Sequence, residues 1–190
     1  FHFGRNREGN VDSLRVAGEP HGIDVTGLEL VKVNEEAPEP VSSTAIRRKL
    51  AGGDIRASNA MLGRRFEIRG PVIEGDQRGR TIGFPTANVP VPKHMAWPAD
   101  AVYAGWYIRP DGTRHMAAIN IGRRPTFYEH AEQSLLEAHV IDFDGDLYGE
   151  EARVQFECFL RSEQRFDGID ALAAQLKQDI ERAREILADA

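Results

Sequence analysis

Only one cysteine, Cys158, occurs in the 190-residue chain, so no intramolecular disulfide can form. That excludes a small disulfide-stapled secreted scaffold and fits a reducing, cytoplasmic setting. Long apolar runs are missing as well, which leaves no segment suited to crossing a bilayer and no membrane partner to expect. Basic residues are outnumbered. The 24 Lys and Arg against 30 Asp and Glu give a formal charge of −6, which argues against bulk binding to nucleic acid. The Gly-x-x-x-x-Gly-Lys-Ser/Thr signature of P-loop enzymes does not occur, so any phosphate cradle is of another type. No initiator methionine precedes Phe1, and the chain is expected to be part of something longer.

With 41% hydrophobic and 28% charged residues, what remains has the composition of an ordinary globular protein. Its most informative stretch is Gly83-Phe84-Pro85-Thr86-Ala87-Asn88, preceded by the turn Gly75-Asp76-Gln77-Arg78-Gly79-Arg80. Between Gly63 and Pro90, Arg64, Arg65, Arg69, Arg78 and Arg80 outnumber Glu67, Glu74 and Asp76, a local positive excess in an acidic chain. A glycine-spaced basic loop offers free backbone N–H groups and guanidinium donors to a polyphosphate. Thr86 and Asn88 lie two apart on a strand-like segment, so their side-chain oxygens point the same way. Two neutral oxygens on one face suit a hard cation such as Mg²⁺ that phosphates already carry. A hairpin loop with surface arginines and a proline turn is the plainer reading of the same residues.

The periodicity changes near residue 63. Before it the order reads strand, helix, strand, helix: a strand end at the start, helical spacing over 11–17, and one or two strands over 23–31. A helix capped by Ser42, Ser43 or Thr44 comes next, with Ile46 and Leu50 on one face, and then a short helical pattern over 54–62. This is an α/β signature too short for a whole sheet domain. Beyond Gly63, alternation predicts six strands over 65–73, 81–89, 102–108, 113–121, 135–141 and 152–160, with Asp111-Gly112 as a hairpin turn. Regular strands and glycine-rich turns indicate a closed antiparallel barrel. Cys158, on one alternation face with Ala152, Val154, Phe156 and Leu160, reads as a small core residue and not a nucleophile. The chain ends in an amphipathic helix, expected to be capped by Asp167. Its stripe of Ile169, Leu172, Leu176, Ile180, Ala183 and Leu187 reads as a lid on the barrel.

Glu137 is a carboxylate flanked by Leu135, Leu136, Ala138 and Val140 in an otherwise apolar strand. Such a group is placed to accept a proton, or to pair with an arginine across the barrel. His139, two residues on, has no further ligand spacing to make a metal site. Asp142, Asp144 and Asp146 read as a turn, since no glutamate falls at the twelfth position of a calcium loop.

Together, Gly75-Asp-Gln-Arg-Gly-Arg80, Gly83 to Asn88, Val102-Tyr-Ala-Gly-Trp106, Asn120-Ile-Gly-Arg-Arg-Pro-Thr-Phe127 and Leu136-Glu-Ala-His-Val-Ile-Asp-Phe-Asp-Gly-Asp-Leu-Tyr-Gly149 resemble the riboflavin kinase family. Arg161-Ser-Glu-Gln-Arg-Phe166 fits it too. Phe3-Gly4-Arg5 and Ser42-Ser43-Thr44-Ala45-Ile46-Arg47 are similar to the tail of the flavin adenylyltransferase domain found in bifunctional bacterial enzymes. The resemblance implies a mainly β fold. Residues 63–190 would form a six-stranded antiparallel Greek-key barrel with a C-terminal α-helix, the riboflavin kinase domain. Residues 1–62 would be the C-terminal part of an α/β FMN adenylyltransferase domain. It also implies transfer of the ATP γ-phosphoryl group to the 5′-hydroxyl of riboflavin, giving FMN, with riboflavin and ATP as small-molecule partners. On this pattern Thr86 and Asn88 hold Mg²⁺ and phosphate oxygens, and Gly75, Arg78 and Arg80 fold over the ATP. Glu137 is the catalytic base and is expected to converge with Thr86 and Asn88 inside the barrel.

Ser43, Thr44 and Arg47 are the residual adenylyltransferase motif, at a helix start that favours negative charge. Such sites are completed by a His-x-Gly-His pair, and no two of the six histidines lie three apart. The chain is therefore expected not to make FAD, although its parent would. Two other readings stand beside the kinase. One is a flavin- or nucleotide-binding fragment with little turnover. The other is an oligonucleotide-binding barrel, suggested by Tyr103, Trp106, Tyr107 and Phe127 but opposed by the acidic charge. These residues specify no oligomeric state.

Overall fold

The structure is a computed structural model that describes residues 2–75, 77–91, 95–122 and 135–190. Its six strands are β1 (Phe66–Pro71), β2 (Ala87–Pro90), β3 (Ala101–Ile108), β4 (Arg114–Gly122), β5 (Leu135–Val140) and β6 (Glu151–Ser162). They lie in the spatial order β1-β6-β3-β4-β5-β2, every pairing antiparallel. Strands β3, β4 and β5 meander and β6 returns beside β3, which is the Greek-key arrangement. The two end strands meet through one bridge, where the Ile73 N–H donates to the Asn88 carbonyl at 2.9 Å. This makes a nearly closed barrel and hides the edges that an open sheet would expose.

Period-two alternation packs the inside. Ile68, Val89, Tyr103, Tyr107, Ile119, Ile121, Leu136, Val154 and Phe156 are fully buried there. The β3–β4 hairpin turns where expected: the Asp111 carboxylate accepts from the Thr113 N–H at 2.8 Å, and Gly112 supplies a φ of 87°. Strand β2 is shorter than its predicted span. Arg78–Thr81 winds a single helical turn, α4, and only Ala87–Pro90 joins the sheet. The cause is local, since the Phe84 N–H is donated back to the Gly79 carbonyl at 2.8 Å and not to a neighbouring strand.

Cys158 is a correction of detail. Strand β6 slips register against β3 between Ala104 and Gly105 and again between Val102 and Tyr103. Each slip reverses the facing of the residues beyond it, so Ala152, Val154 and Phe156 point inward while Cys158 packs outside with Ala104 and Trp106. Burial pushes its thiol up, which suits a packing role.

The last helix, α5 (Ile169–Ala188), covers that outer patch with Ala183 and Leu187, flanked by Ile180 and Ile186. Its start differs from the expectation: Gly168 occupies the cap position at φ 140° with no side-chain cap, and Ile169 is 66% exposed. What fixes the helix is electrostatic. Asp179, 4% exposed, accepts two hydrogen bonds from Arg161 Nε (2.9 and 3.0 Å), one from Arg161 Nη2 (2.7 Å) and one from Gln175 (2.9 Å).

Before the barrel come α1 (Val11–Gly18), α2 (Ser43–Ala51) and α3 (Ile55–Leu62). Ser42 is the α2 cap, accepting from the Ala45 N–H at 3.2 Å. Leu50 and Ile55 enter the barrel's apolar cluster, and the Asn59 amide bridges the Phe156 carbonyl and the Phe66 N–H at 2.8 and 2.7 Å. The strands expected over 23–31 do not form. Ile23, Leu28, Leu30 and Val31 are 59–90% exposed; a strand needs a ladder, and although the Val41 N–H donates to the Val31 carbonyl at 2.7 Å, no ladder forms along this stretch among the described residues. No helix among the described residues is long and apolar enough to cross a membrane.

Because breaking a buried ion pair strands the remaining charge, Asp179→Ala is expected to destabilise the fold by about 3–5 kcal/mol. The double change Arg161→Met with Asp179→Leu should recover most of that loss. Urea unfolding of the three proteins checks it; equal losses in the single and double variants would contradict the reading.

Candidate active site

Two short segments of sequence build the site, one on each side of the barrel's closure. The first is the loop from Glu74 to Thr86. Gly79 is needed there for close approach, since a Cβ on it would stand 2.3 Å from the Phe84 carbonyl oxygen. Gly75 lies over the Asn88 amide, where a Cβ would stand 2.5 Å from Nδ2. The loop's N–H groups are not all free, contrary to the expectation from sequence. Those of Arg80, Ile82, Gly83 and Phe84 are taken by the carbonyls of Gln77, Gly79, Arg80 and Gly79. What the loop offers the cleft is the Arg80 side chain, with Gln77 held at a φ of 54°. Asp76 and the Arg78 side chain lie outside the described residues, as does the Asn120–Phe127 block beyond Gly122.

The second segment comes after β5. Asp142 takes a φ of 56°, and the Asp146 carboxylate accepts from the Tyr148 N–H at 2.9 Å, so this acidic stretch is a turn as expected. Phe143 anchors it. The His115 ring meets it edge-on at 5.0 Å, and the Arg109 guanidinium lies 5.4 Å from its centre.

Between the two lies a cleft of about 320 Å³. Its apolar wall is Val72, Val140, Phe143 and Leu147, and its polar wall is Thr86, Asn88, Arg80, Asp144 and Asp146, with Tyr148 at the rim. Asn88 is 5% exposed, and its Nδ2 donates to the Thr86 carbonyl at 3.3 Å. Among the described residues no three His, Cys, Asp or Glu side chains gather as a metal site.

Glu137 does not line this cleft but stands next to it. In the sheet it is the register partner of Asn88 on β2 and of Asn120 on β4, so Asn88, Glu137 and Asn120 form a row across three strands. Their neighbours Ala87, Val89, Leu136, Ala138, Ile119 and Ile121 fill the interior. The row is therefore on the outer face, and the expected convergence inside the barrel is corrected to convergence on its wall. Alternation dictates this, because a packed interior of this size leaves no room for substrate. The surroundings of Glu137 are consequently polar and not the apolar setting that its sequence neighbours suggest.

Ser43, Thr44 and Arg47 lie elsewhere, exposed on the first turns of α2, and are not brought to the cleft. Tyr103, Trp106 and Tyr107 are buried, and Trp106 is capped by Arg114 at 3.6 Å from its ring centre, so these rings form no stacking platform for bases. Phe127 is outside the described residues. Sequence reasoning gives no role to Asn120, Tyr148 or Glu163. All three sit inside motif blocks; register sets Asn120 beside Glu137, and Tyr148 lines the cleft. Glu163 lies against Gly122, where a Cβ would stand 2.5 Å from its Oε1, and burial, then Asp100, pushes its carboxyl up.

Comparison with known proteins adds the lineage. Over 185 residues the chain is 40% identical to the bifunctional riboflavin kinase/FMN adenylyltransferase of Escherichia coli strain K12, covering 97% of this chain and 57% of that protein. A protein of the same description from Bacillus subtilis strain 168 is 36% identical over 185 residues, covering 96% and 57%. The chain thus spans a little over half the length of the curated relatives it matches. Among solved structures, one described as a macrolide-efflux protein from Streptococcus pneumoniae superimposes with a TM-score of 0.81 at 31% identity, over 97% of this chain and 57% of that one. The family model described as riboflavin kinase (flavokinase) matches residues 62–187, from the end of α3 through all six strands to the end of α5, and the chain therefore belongs to the riboflavin kinase family.

Proposed function

We propose that this chain is a riboflavin kinase, an ATP:riboflavin 5′-phosphotransferase, with the wall of the barrel at β2 and β5 as its active site. The observation that carries the reading is the register pairing of Asn88 with Glu137, which sets a carboxylate beside the Thr86–Asn88 pair at the mouth of a nucleotide-sized cleft. The apolar wall suits a base, and Arg80 suits the phosphates of ATP. Gly75 lets the loop close over Asn88.

The donor set fits magnesium. A threonine hydroxyl and an asparagine amide oxygen are hard, neutral ligands that complement phosphate oxygens and do not replace them. Thr86 and Asn88 would hold the ion, which when bound neutralises charge on the β- and γ-phosphates. The protein's own part is positioning and proton transfer. Glu137 accepts the proton of the riboflavin 5′-hydroxyl as that oxygen forms its bond to the γ-phosphorus. The bond from phosphorus to the β,γ-bridging oxygen breaks in line, and ADP departs with that electron pair. Asn120 and Asn88 flank Glu137 as its register neighbours on the same face of the sheet.

Residues 1–62 are proposed to be the end portion of an FMN adenylyltransferase domain, and residues 63–190 the kinase, in a bifunctional cytoplasmic parent. Support comes from Ser43, Thr44 and Arg47 on a helix start, and from the names of the Escherichia coli and Bacillus subtilis relatives. The efflux description of the streptococcal structure contributes nothing to this reading, which rests on the family and the cleft.

Absorbance or thin-layer detection of FMN from riboflavin and MgATP tests the assignment. Glu137→Gln should lower kcat by about 10²–10⁴-fold, the range of a lost general base, with little change in KM for MgATP. Thr86→Ala and Asn88→Ala should instead raise the Mg²⁺ and MgATP concentrations needed for half-maximal rate. Near-normal turnover in all three would discredit the site. Given FMN and MgATP, the chain is expected to yield no FAD, because it lacks the histidine pair; FAD in the product would refute that part.

A further inference from the structure

The β2–β5 ladder ends one residue too early to hold Thr86. Its last backbone pair is Ala87 with Ala138, and the next residue along β5 is His139. Pro85 could not extend the ladder in any case, because it has no N–H to donate. Its carbonyl finds another partner: His139 Nδ1 lies 2.8 Å from the Pro85 oxygen, and the Phe84 ring meets the imidazole edge-on at 5.7 Å and 71°. A carbonyl only accepts, so Nδ1 carries the hydrogen and donates it. The imidazole thus stands in for a missing rung.

The placement of this rung gives it meaning. His139 and Glu137 sit two apart on β5 and face the same way, while Pro85 immediately precedes Thr86. We infer that His139 is a positioning residue for the proposed kinase reaction: its hydrogen bond to Pro85 fixes Thr86, and the nucleotide it would hold, at a set distance from Glu137. His139 touches neither substrate nor reacting atoms in this role. From sequence alone this histidine reads only as a metal ligand lacking companions.

The inference rests on the kinase reading, and the test separates the two. In the full chain, His139→Phe keeps a ring against Phe84 but removes the donor, whereas His139→Asn restores an N–H one bond from Cγ, where Nδ1 stood. His139→Phe is expected to lower kcat/KM for MgATP about fivefold or more, the scale of one lost hydrogen bond. His139→Asn should stay within about threefold of wild type on the same scale. Adding His139→Phe to Thr86→Ala should cost little further. Melting temperatures should not separate Phe from Asn, which a merely structural role would require. Equal activity of the Phe and Asn variants, whether both high or both low, overturns the inference. If the wild type makes no FMN, the kinase reading fails on its own. The hydrogen bond is then judged by ¹H–¹⁵N spectra of the imidazoles, where a His139 signal protonated only at Nε2 overturns it.

Discussion

One backbone hydrogen bond, from the Ile73 N–H to the Asn88 carbonyl, turns a six-stranded sheet into a barrel. Without it β1 and β2 would be open edges and the interior cluster would lack a wall. The same residue that closes the sheet with its main chain presents its side chain to the cleft. Closure and site are therefore one constraint: a change that loosened the seam would also misplace the amide. Glycine makes this possible at two positions. Gly75 allows the incoming chain to lie directly on the Asn88 amide, and Gly70 faces Val89 and the Pro90 carbonyl with 3.2 to 3.3 Å to an added Cβ. The seam is tight because its side chains have been reduced to hydrogen.

The barrel divides labour between its two faces. Its inside is occupied by apolar side chains, of which Val72, Ala87, Ala138 and Val140 also line the cleft, while the polar row and the last helix lie on the outside. One outer sector, Asn88 to Asn120 by way of Glu137, carries the polar row. Another, from Ala104 to Cys158, is covered by α5. Strand β6 connects the two worlds, since its register slips move residues from the inner face to the outer without ending the strand. Arg161 lies beyond both slips, where the two reversals cancel, and from the outer face it reaches Asp179 on the helix.

Local pattern carries much of this fold. The six strands, the Asp111-Gly112 turn and the closing helix all derive from alternation, turn chemistry and helical spacing, which are properties of neighbours in sequence. The failures share a different character. Cys158 changes face because a register slip is a relation between strands and leaves no mark in one strand's composition. Residues 23–31 look like strand but expose their apolar side chains, since a strand is made by its partner. Glu137 has apolar neighbours in sequence and asparagines in space, because adjacent positions on a strand face opposite sides of the sheet. The loop at Gly79 reads as donors awaiting a ligand, whereas the N–H groups of Arg80, Ile82, Gly83 and Phe84 are taken by the loop's own carbonyls. For the site, residue type is legible while facing is not.

The burial of Cys158 between the sheet and α5 has a practical corollary. As the sole sulfhydryl in the chain, it turns the seating of that helix into something chemistry can time. Cys158 also lines a recess of about 290 Å³ between Arg56 of α3 and Arg182 and Ile186 of α5, so its alkylation rate under native conditions reads out how the helices pack around that recess, without any introduced label.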